Sequence, residues 1–426
     1  MVWKVLLGTL LGAIVLNGIY PALLLSSFKP LNVFRGISVL KVKDTALRKG
    51  LVVFQFTLSV MLIIGTIVVF KQLQFIQSSN PGYNRSQIVS MRIPYRALLY
   101  MKDDQRSSFL ENIKYELSKN VNTQMVTSSN QPIVNITNTN SGNSKWIGKD
   151  SLFNPTVYTL SVDARYQTVF ELKMKEGRWY NPDDKGDLKN YILNETAVQT
   201  FHLHQPIIGQ WFSFSKQEGT IIGVVKDFHH RNMHDKIGPV VMHNVPGWML
   251  YVSVKAREGN IKPTLATMEK VWNKFLPNEP FDYAFMDDTF NGLYKTDVKT
   301  SKLILVFSIL AIIITALGLF GLTAFTVERK TKEIGVRKVL GASITNITTL
   351  LSKEFIVLVC ISILVASPVA WWVMNKWLED FAYRINITWS VFVFAGGAAL
   401  LIAMATVSFQ AVKAAVANPV KSLRTE

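Results

Sequence analysis

The sequence predicts an α-helical membrane protein with five transmembrane helices, TM1 to TM5, and a large α+β extracytoplasmic domain inserted between TM2 and TM3. Three observations predict it. Five stretches, 5–28, 50–70, 303–327, 355–375 and 385–412, carry no charge. Each holds the roughly 20 residues that cross a hydrocarbon core of ~30 Å as a helix. Basic residues also gather in alternate connections: 29–49 holds six Lys/Arg against one Asp, and 328–338 holds five against two Glu. The tail adds Lys413, Lys421 and Arg424, whereas 376–384 has two charges of each sign. This bias marks cytoplasmic segments. Finally, the segment 71–302 is long enough to bury a core of its own.

Alternation across the membrane then orders the elements. Residues 1–28 contain TM1, running inward, and 29–49 is a cytoplasmic linker. TM2 is 50–72, the external domain 73–300, TM3 301–327, and 328–343 a cytoplasmic helix. TM4 is 355–375, 376–388 an external loop, TM5 389–412, and 413–426 a cytoplasmic tail. Met1 is thereby placed outside with only Val2, Trp3 and Lys4 before the first span, as expected of a chain that starts inside a larger design. Two segments echo each other after membrane helices. Pro30-Leu-Asn-Val-Phe-Arg35 and Pro419-Val-Lys-Ser-Leu-Arg424 both read Pro, apolar, two variable positions, apolar, Arg. TM1 therefore reads as the last helix of one repeat, and TM2 to TM5 as a complete second repeat.

In the external domain, strand-like runs occur at 87–93, 156–162, 220–225 and 249–254, and helical patterns at 104–120, 194–202 and 260–276. That mixture argues an α+β domain. The stretch 121–150, rich in Asn, Ser and Thr, reads as a long loop or flexible arm. Five Asn-x-Ser/Thr triplets, among them the one at Asn194, are read as incidental.

Several chemistries lose support. A formal charge of +17 invites nucleic-acid binding, but much of the excess lies in the topogenic segments. No nucleic-acid partner is expected; membrane lipid is. The lone cysteine, Cys360, lies within TM4, allows no intramolecular disulfide, and reads as a small buried hydrophobe. Gly142-Asn-Ser-Lys-Trp-Ile-Gly148-Lys149-Asp150 imitates a phosphate loop, with five residues between the glycines instead of four and Asp in place of the hydroxyl. His229, His230 and His234 resemble a metal cluster, yet no second ligand set completes it, so no metal and no cofactor is assigned. No catalytic constellation stands out, and a membrane-tethered external enzyme is kept only as a minor alternative. The spans hold no ionisable group of the kind that marks proton or ion pathways. Ala395, Ala399 and Ala403 recur at four-residue spacing and read as a packing face. Trp371, Trp372, Trp377 and Trp389 fit an interfacial belt.

The stretch 328–343 stands apart. Besides five Lys/Arg it keeps Val336, Val339 and Leu340 on one helical face. A topogenic loop needs the charge but no such stripe, so this segment reads as a surface that touches a protein.

At these residues the chain resembles the MacB/FtsX-type permeases of bacterial ABC systems, in the two-repeat form with a MacB-like periplasmic core domain. The resemblance is carried by 318–325, by 329–343 and by 417–424. In the external domain it is carried by Ile192-Leu-Asn-Glu-Thr-Ala197, Ile222-Gly-Val-Val-Lys-Asp-Phe228 and Pro280-Phe-Asp-Tyr283. It implies a non-catalytic permease subunit in the bacterial inner membrane, driven by a separate cytoplasmic ABC ATPase dimer. It further implies a second permease copy or half, a possible periplasmic adaptor or effector, and mechanotransmission into the periplasmic domain. It implies an ATPase-coupling helix bearing Glu333, Ile334, Gly335, Val336, Arg337, Lys338, Val339, Leu340 and Gly341, with a second cytoplasmic contact at Pro419, Leu423 and Arg424. The resemblance also leaves open a regulator of a cell-wall hydrolase or sensor kinase that exports nothing.

Overall fold

The structure, a computed structural model, describes Leu7, Gly8, Gly12 and residues 41–416. All of TM1 but those three residues, the expected echo of repeats and the tail contact at Pro419, Leu423 and Arg424 therefore lie outside the described residues. The helices are α1 (Lys41–Ser78), α2 (Tyr95–Leu98), α3 (Asp103–Ser118), α4 (Tyr166–Phe170), α5 (Glu195–Thr200) and α6 (Ile261–Phe275). They continue as α7 (Met286–Leu293), α8 (Lys295–Arg329), α9 (Thr331–Val339), α10 (Ile344–Leu378) and α11 (Trp389–Val416). Two compact units emerge. One takes in the segment ending at Ile63, Ser308–Val369 and the segment from Phe392; the other takes in Ile64–Phe307 and Ala370–Val391.

The first unit is helical. Among the described residues, four helices are long and apolar enough to cross a membrane: Arg48–Ser78, Lys295–Arg329, Thr345–Leu378 and Trp389–Lys413. They are apolar all round, so composition alone does not say which side faces protein. In α1 the answer is Val52, Phe56 and Val60, buried at every fourth position, while Leu51, Phe54 and Leu58 are exposed. Small polar groups pin the helices together. Ser59 and Thr315 share a hydroxyl hydrogen bond of 2.8 Å, and Ser362 Oγ donates to the Val53 carbonyl at 3.0 Å. Gly318 lies where a Cβ would come within 2.6 Å of Gln55 Oε1. On α11, Ala395, Ala399 and Ala403 are buried within the chain, and a Cβ on Gly396 would touch Ile363 at 3.4 Å. Cys360 corrects an expectation: it is exposed on α10, because an apolar helix turns as many such residues outward as inward.

The second unit is α+β. Its strands are β1 (Ile88–Arg92), β2 (Thr123–Ser129), β3 (Thr139–Ser141), β4 (Ser144–Trp146), β5 (Thr156–Ser161) and β6 (Met174–Gly177). They continue with β7 (Tyr191–Asn194), β8 (Trp211–Phe214), β9 (Gln217–Val225), β10 (Val240–His243), β11 (Tyr251–Ala256) and β12 (Tyr283–Phe285). One antiparallel sheet has the order β12-β1-β11-β2. Val89, Met91, Val252 and Val254 share its core with Leu110 and Ile113 of α3 and Met268 and Trp272 of α6. The larger sheet runs β3-β5-β10-β7-β9-β8-β4, with β6 on β9. Its β5–β10 and β7–β9 pairs are parallel. Successive residues enter opposite cores: Ile192, Val225, Val240 and Met242 go to one, and Tyr191, Leu193, Val224 and Val241 to the other. That is the period-two alternation of a sheet covered on both faces.

The stretch 121–150 is corrected: it contains β2, β3 and β4 rather than a flexible arm. Its Ser and Thr disguise strands because their hydroxyls find partners inside. Thr127 and Ser128 both donate to the Asp163 carboxylate, Ser128 at 3.0 Å. The imitation phosphate loop is the same segment, with β4 paired antiparallel to β8.

His243 on β10 is buried, and burial alone pushes its imidazole down to about 4. A base depressed in the fold is protonated preferentially when unfolded, so stability falls as pH drops from ~6.5 toward 4, by roughly 3 kcal/mol for this residue. Hydrogen exchange of the β10 amides at about pH 4.5 and 7 should show that loss, and His243→Leu should remove its share.

Candidate functional site

Two places gather the residues that the sequence singles out. The first is α9. Lys330 precedes it without a side-chain cap, and the helix is fastened instead by Ile334, which is 7% exposed. Ile334 packs with Ile347, Leu351 and Ala411, and Val327 and Ala342 cover the same cluster. Gly335 is buried on this anchored side. The helix ends in a Schellman turn: Ala342 N–H donates to Arg337 O at 3.0 Å and Gly341 N–H to Lys338 O at 3.1 Å. That turn requires a positive φ, which Gly341 supplies at +89°. Ser343 then accepts from Asn346 N–H at 3.2 Å and opens α10.

The other side of α9 points outward. Val336, Val339 and Leu340 are 50%, 67% and 80% exposed, so the apolar stripe is presented rather than used in packing. Arg337 pairs with Glu333 at 2.8 Å along the helix, both half exposed. Arg337 and Lys338 lie in the last turn, where the helix dipole favours cations. Behind α9, Glu354 of α10 sits 3.7 Å from Lys49 and 4.0 Å from Lys330. Arg48 lies over the Phe325 ring at 4.4 Å. Glu354 thus links α1 and α10 to the residue that precedes α9, and Arg48 links α1 to α8.

The second place is in the α+β unit, where the 379–388 loop meets the histidine segment. Gln72 of α1 is fully buried. Its Nε2 donates to Tyr383 O at 2.8 Å, and its Oε1 accepts from Ile385 N–H at 2.9 Å. His234 stacks on Phe381 at 3.9 Å and approaches Asp297 of α8 at 3.2 Å. Ala382 N–H donates to His234 O at 3.1 Å, and His229 meets the Tyr383 ring edge-on at 4.3 Å. Burial pushes His229 below its ordinary value, against the opposing Asp227 charge. It pushes His230, buried between Phe228 and Tyr158, to about 4. These histidines are engaged separately. Among the described residues, no group of three or more His, Cys, Asp and Glu is placed to hold a metal. Trp377 is half-buried and packs on Phe381, while Trp371, Trp372 and Trp389 are exposed.

Gln72, Asp297, Phe381 and Tyr383 carried no signal as sequence, because their contacts join residues far apart in the chain. Other motifs become legible as joints. Asn194 caps α5 by accepting from Ala197 N–H, and its amide donates to Asp227 and to Gly238 O. It also accepts from Val240 N–H, so one side chain ties β7, the end of β9 and the start of β10.

Residues 51–266 match the MacB-like periplasmic core domain family, and residues 305–419 match the FtsX-like permease C-terminal family. The chain is 25% identical to the macrolide export ATP-binding/permease protein MacB of Aggregatibacter actinomycetemcomitans over 257 residues, 57% of this chain and 38% of that protein. It is 23% identical to the protein of that name from Neisseria gonorrhoeae over 333 residues, 75% of this chain and 50% of that one. The chain thus spans half or less of the length of these curated relatives. The crystal structure of the periplasmic region of MacB from Actinobacillus actinomycetemcomitans is similar with a TM-score of 0.35 and 16% identity, covering 53% of this chain and 98% of that one.

Proposed function

Because this chain belongs to the FtsX-like permeases that carry a MacB-like periplasmic core domain, we propose that it is a non-catalytic ABC permease subunit that carries ATP-driven motion across the bacterial inner membrane. A separate cytoplasmic ATPase dimer supplies the motion, and α9 receives it. Val336, Val339 and Leu340 enter an apolar groove of the ATPase, while Arg337 and Lys338 face its acidic groups. A second permease copy or half completes the assembly. The motion reaches the periplasmic domain along α1 and α8, and the Gln72–Tyr383 and His234–Asp297 contacts hold the external loop in register with it. A periplasmic adaptor or effector receives the work, and the exported class is a peptide, antibiotic or lipoprotein-like substrate.

The observation that carries this reading is the division of α9 into an anchored side at Ile334 and an exposed apolar side at Val336, Val339 and Leu340. A helix that only closed a loop would bury its apolar residues. The double variant Glu333→Arg with Arg337→Glu tests it. The variant keeps an opposite-charge i,i+4 pair but sets it against the helix dipole, so helix stability should fall by about 1–2 kcal/mol, while the charge at each of the two positions is reversed. Association with the ATPase in a reconstituted complex is expected to weaken by roughly tenfold or more. Unchanged association and unchanged coupled hydrolysis would show that α9 is not the contact.

A further inference from the structure

We propose that the external end of α8 carries a selective site for an anionic phospholipid, formed by Lys295, Lys299 and Lys302 above Leu303 and Val306. This goes beyond coupling and rests only on α8 spanning the membrane. The three lysines fall at i, i+4 and i+7, within one narrow arc of the helix, and Val306 continues the same face. All five side chains are exposed. Ion pairs are plentiful in this unit, yet none involves these lysines among the described residues. Lys71, just past the uncharged run of α1, is a fourth exposed cation with no ion-pair partner among the described residues.

The placement matters more than the charge. At 1.5 Å per residue, Lys299 stands ~4.5 Å above Lys302 and Lys295 ~10 Å above it. The headgroup layer outside the hydrocarbon core is roughly 5–8 Å thick, so Lys302 and Lys299 lie at the level of lipid phosphates and Lys295 at its outer edge. Topology does not call for them, because the positive-inside bias concerns the opposite ends of these helices. A second copy packed here by two-fold symmetry would bring two lysine ladders together. An anionic lipid satisfies both halves of the face: its phosphate meets the ammonium groups, and its acyl chain lies along Leu303 and Val306. A zwitterionic lipid brings its own ammonium and gains far less.

The test uses the full chain in detergent micelles with an equimolar mixture of phosphatidylglycerol and phosphatidylethanolamine, read by native mass spectrometry. At roughly fivefold per lysine near the surface, phosphatidylglycerol should be retained at least tenfold over phosphatidylethanolamine. That preference should persist when all three lysines are replaced by arginine and collapse when all three are replaced by glutamine. The arginine variant guards against a folding defect. Equal retention of the two lipids would overturn the proposal, as would a preference unchanged by the glutamine variant. So would equal competition by soluble glycerol phosphate, or a glutamine variant that alters oligomeric state and leaves lipid preference intact.

Discussion

Replacing Asp163 with alanine is expected to lower the local stability of the α+β unit by about 2–3 kcal/mol, because it removes the acceptor of several buried hydrogen bonds while Lys114 keeps its second partner, Glu111, at 2.5 Å. Asp163 accepts from Ser128 N–H at 2.9 Å, Ser128 Oγ at 3.0 Å, Arg165 N–H at 3.0 Å and the Thr127 hydroxyl. It also pairs with Lys114 Nζ at 2.8 Å, and both partners are buried. Burial works against the Lys114 ammonium, but the Asp163 and Glu111 charges outweigh it and raise its pKa. A raised lysine contributes stability that is complete below its ordinary value of about 10.4 and is lost only as pH climbs through the folded value. At neutral pH the whole contribution is therefore present. Hydrogen exchange of the β2 amides in the full chain measures it. Asp163→Asn keeps the shape and several acceptor contacts, and should cost less than the alanine variant.

The second large effect concerns α9. Val339→Asp combined with Leu340→Asp should weaken ATPase binding by about a thousandfold, at ~2 kcal/mol for each buried apolar anchor of an interface. The permease itself should remain folded, because both side chains are exposed. Ile334→Asp provides the contrast. It buries a carboxylate among Ile347, Leu351 and Ala411, so it should loosen α9 itself and lower the melting temperature. Separate effects on binding and on stability would distinguish a docking face from a core face.

The two regions differ in how far local residue pattern reveals them. The α9 stripe was legible because Val336, Val339 and Leu340 stand out among Lys, Arg and Glu. The membrane helices were legible as elements but not in their facing. Every side of α10 is apolar, and Cys360 proved to be exposed. Strands β5, β9 and β11 announced themselves through Val, Ile and Tyr, whereas β2 stayed hidden because Thr127, Ser128 and Ser129 are polar residues serving as core. The Gln72 clasp was out of reach for another reason. Its partners Tyr383 and Ile385 lie 311 and 313 residues away, and local patterns do not carry such contacts. The histidines looked like a metal site by spacing. They separate because His230 is buried against Phe228 and Tyr158, while His234 turns to Asp297 and Phe381.

The central claim is that motion delivered at α9 is felt at the external loop. It is tested most directly by placing an environment-sensitive fluorophore on Ala382→Cys, in a Cys360→Ser background, within a complex reconstituted with its ATPase. Addition of ATP on the cytoplasmic side should change the fluorescence of the wild-type stripe, and the change should vanish in the Val339→Asp, Leu340→Asp variant. A fluorescence signal that ignores ATP while the ATPase turns over, or one that responds equally in the variant, would contradict the account.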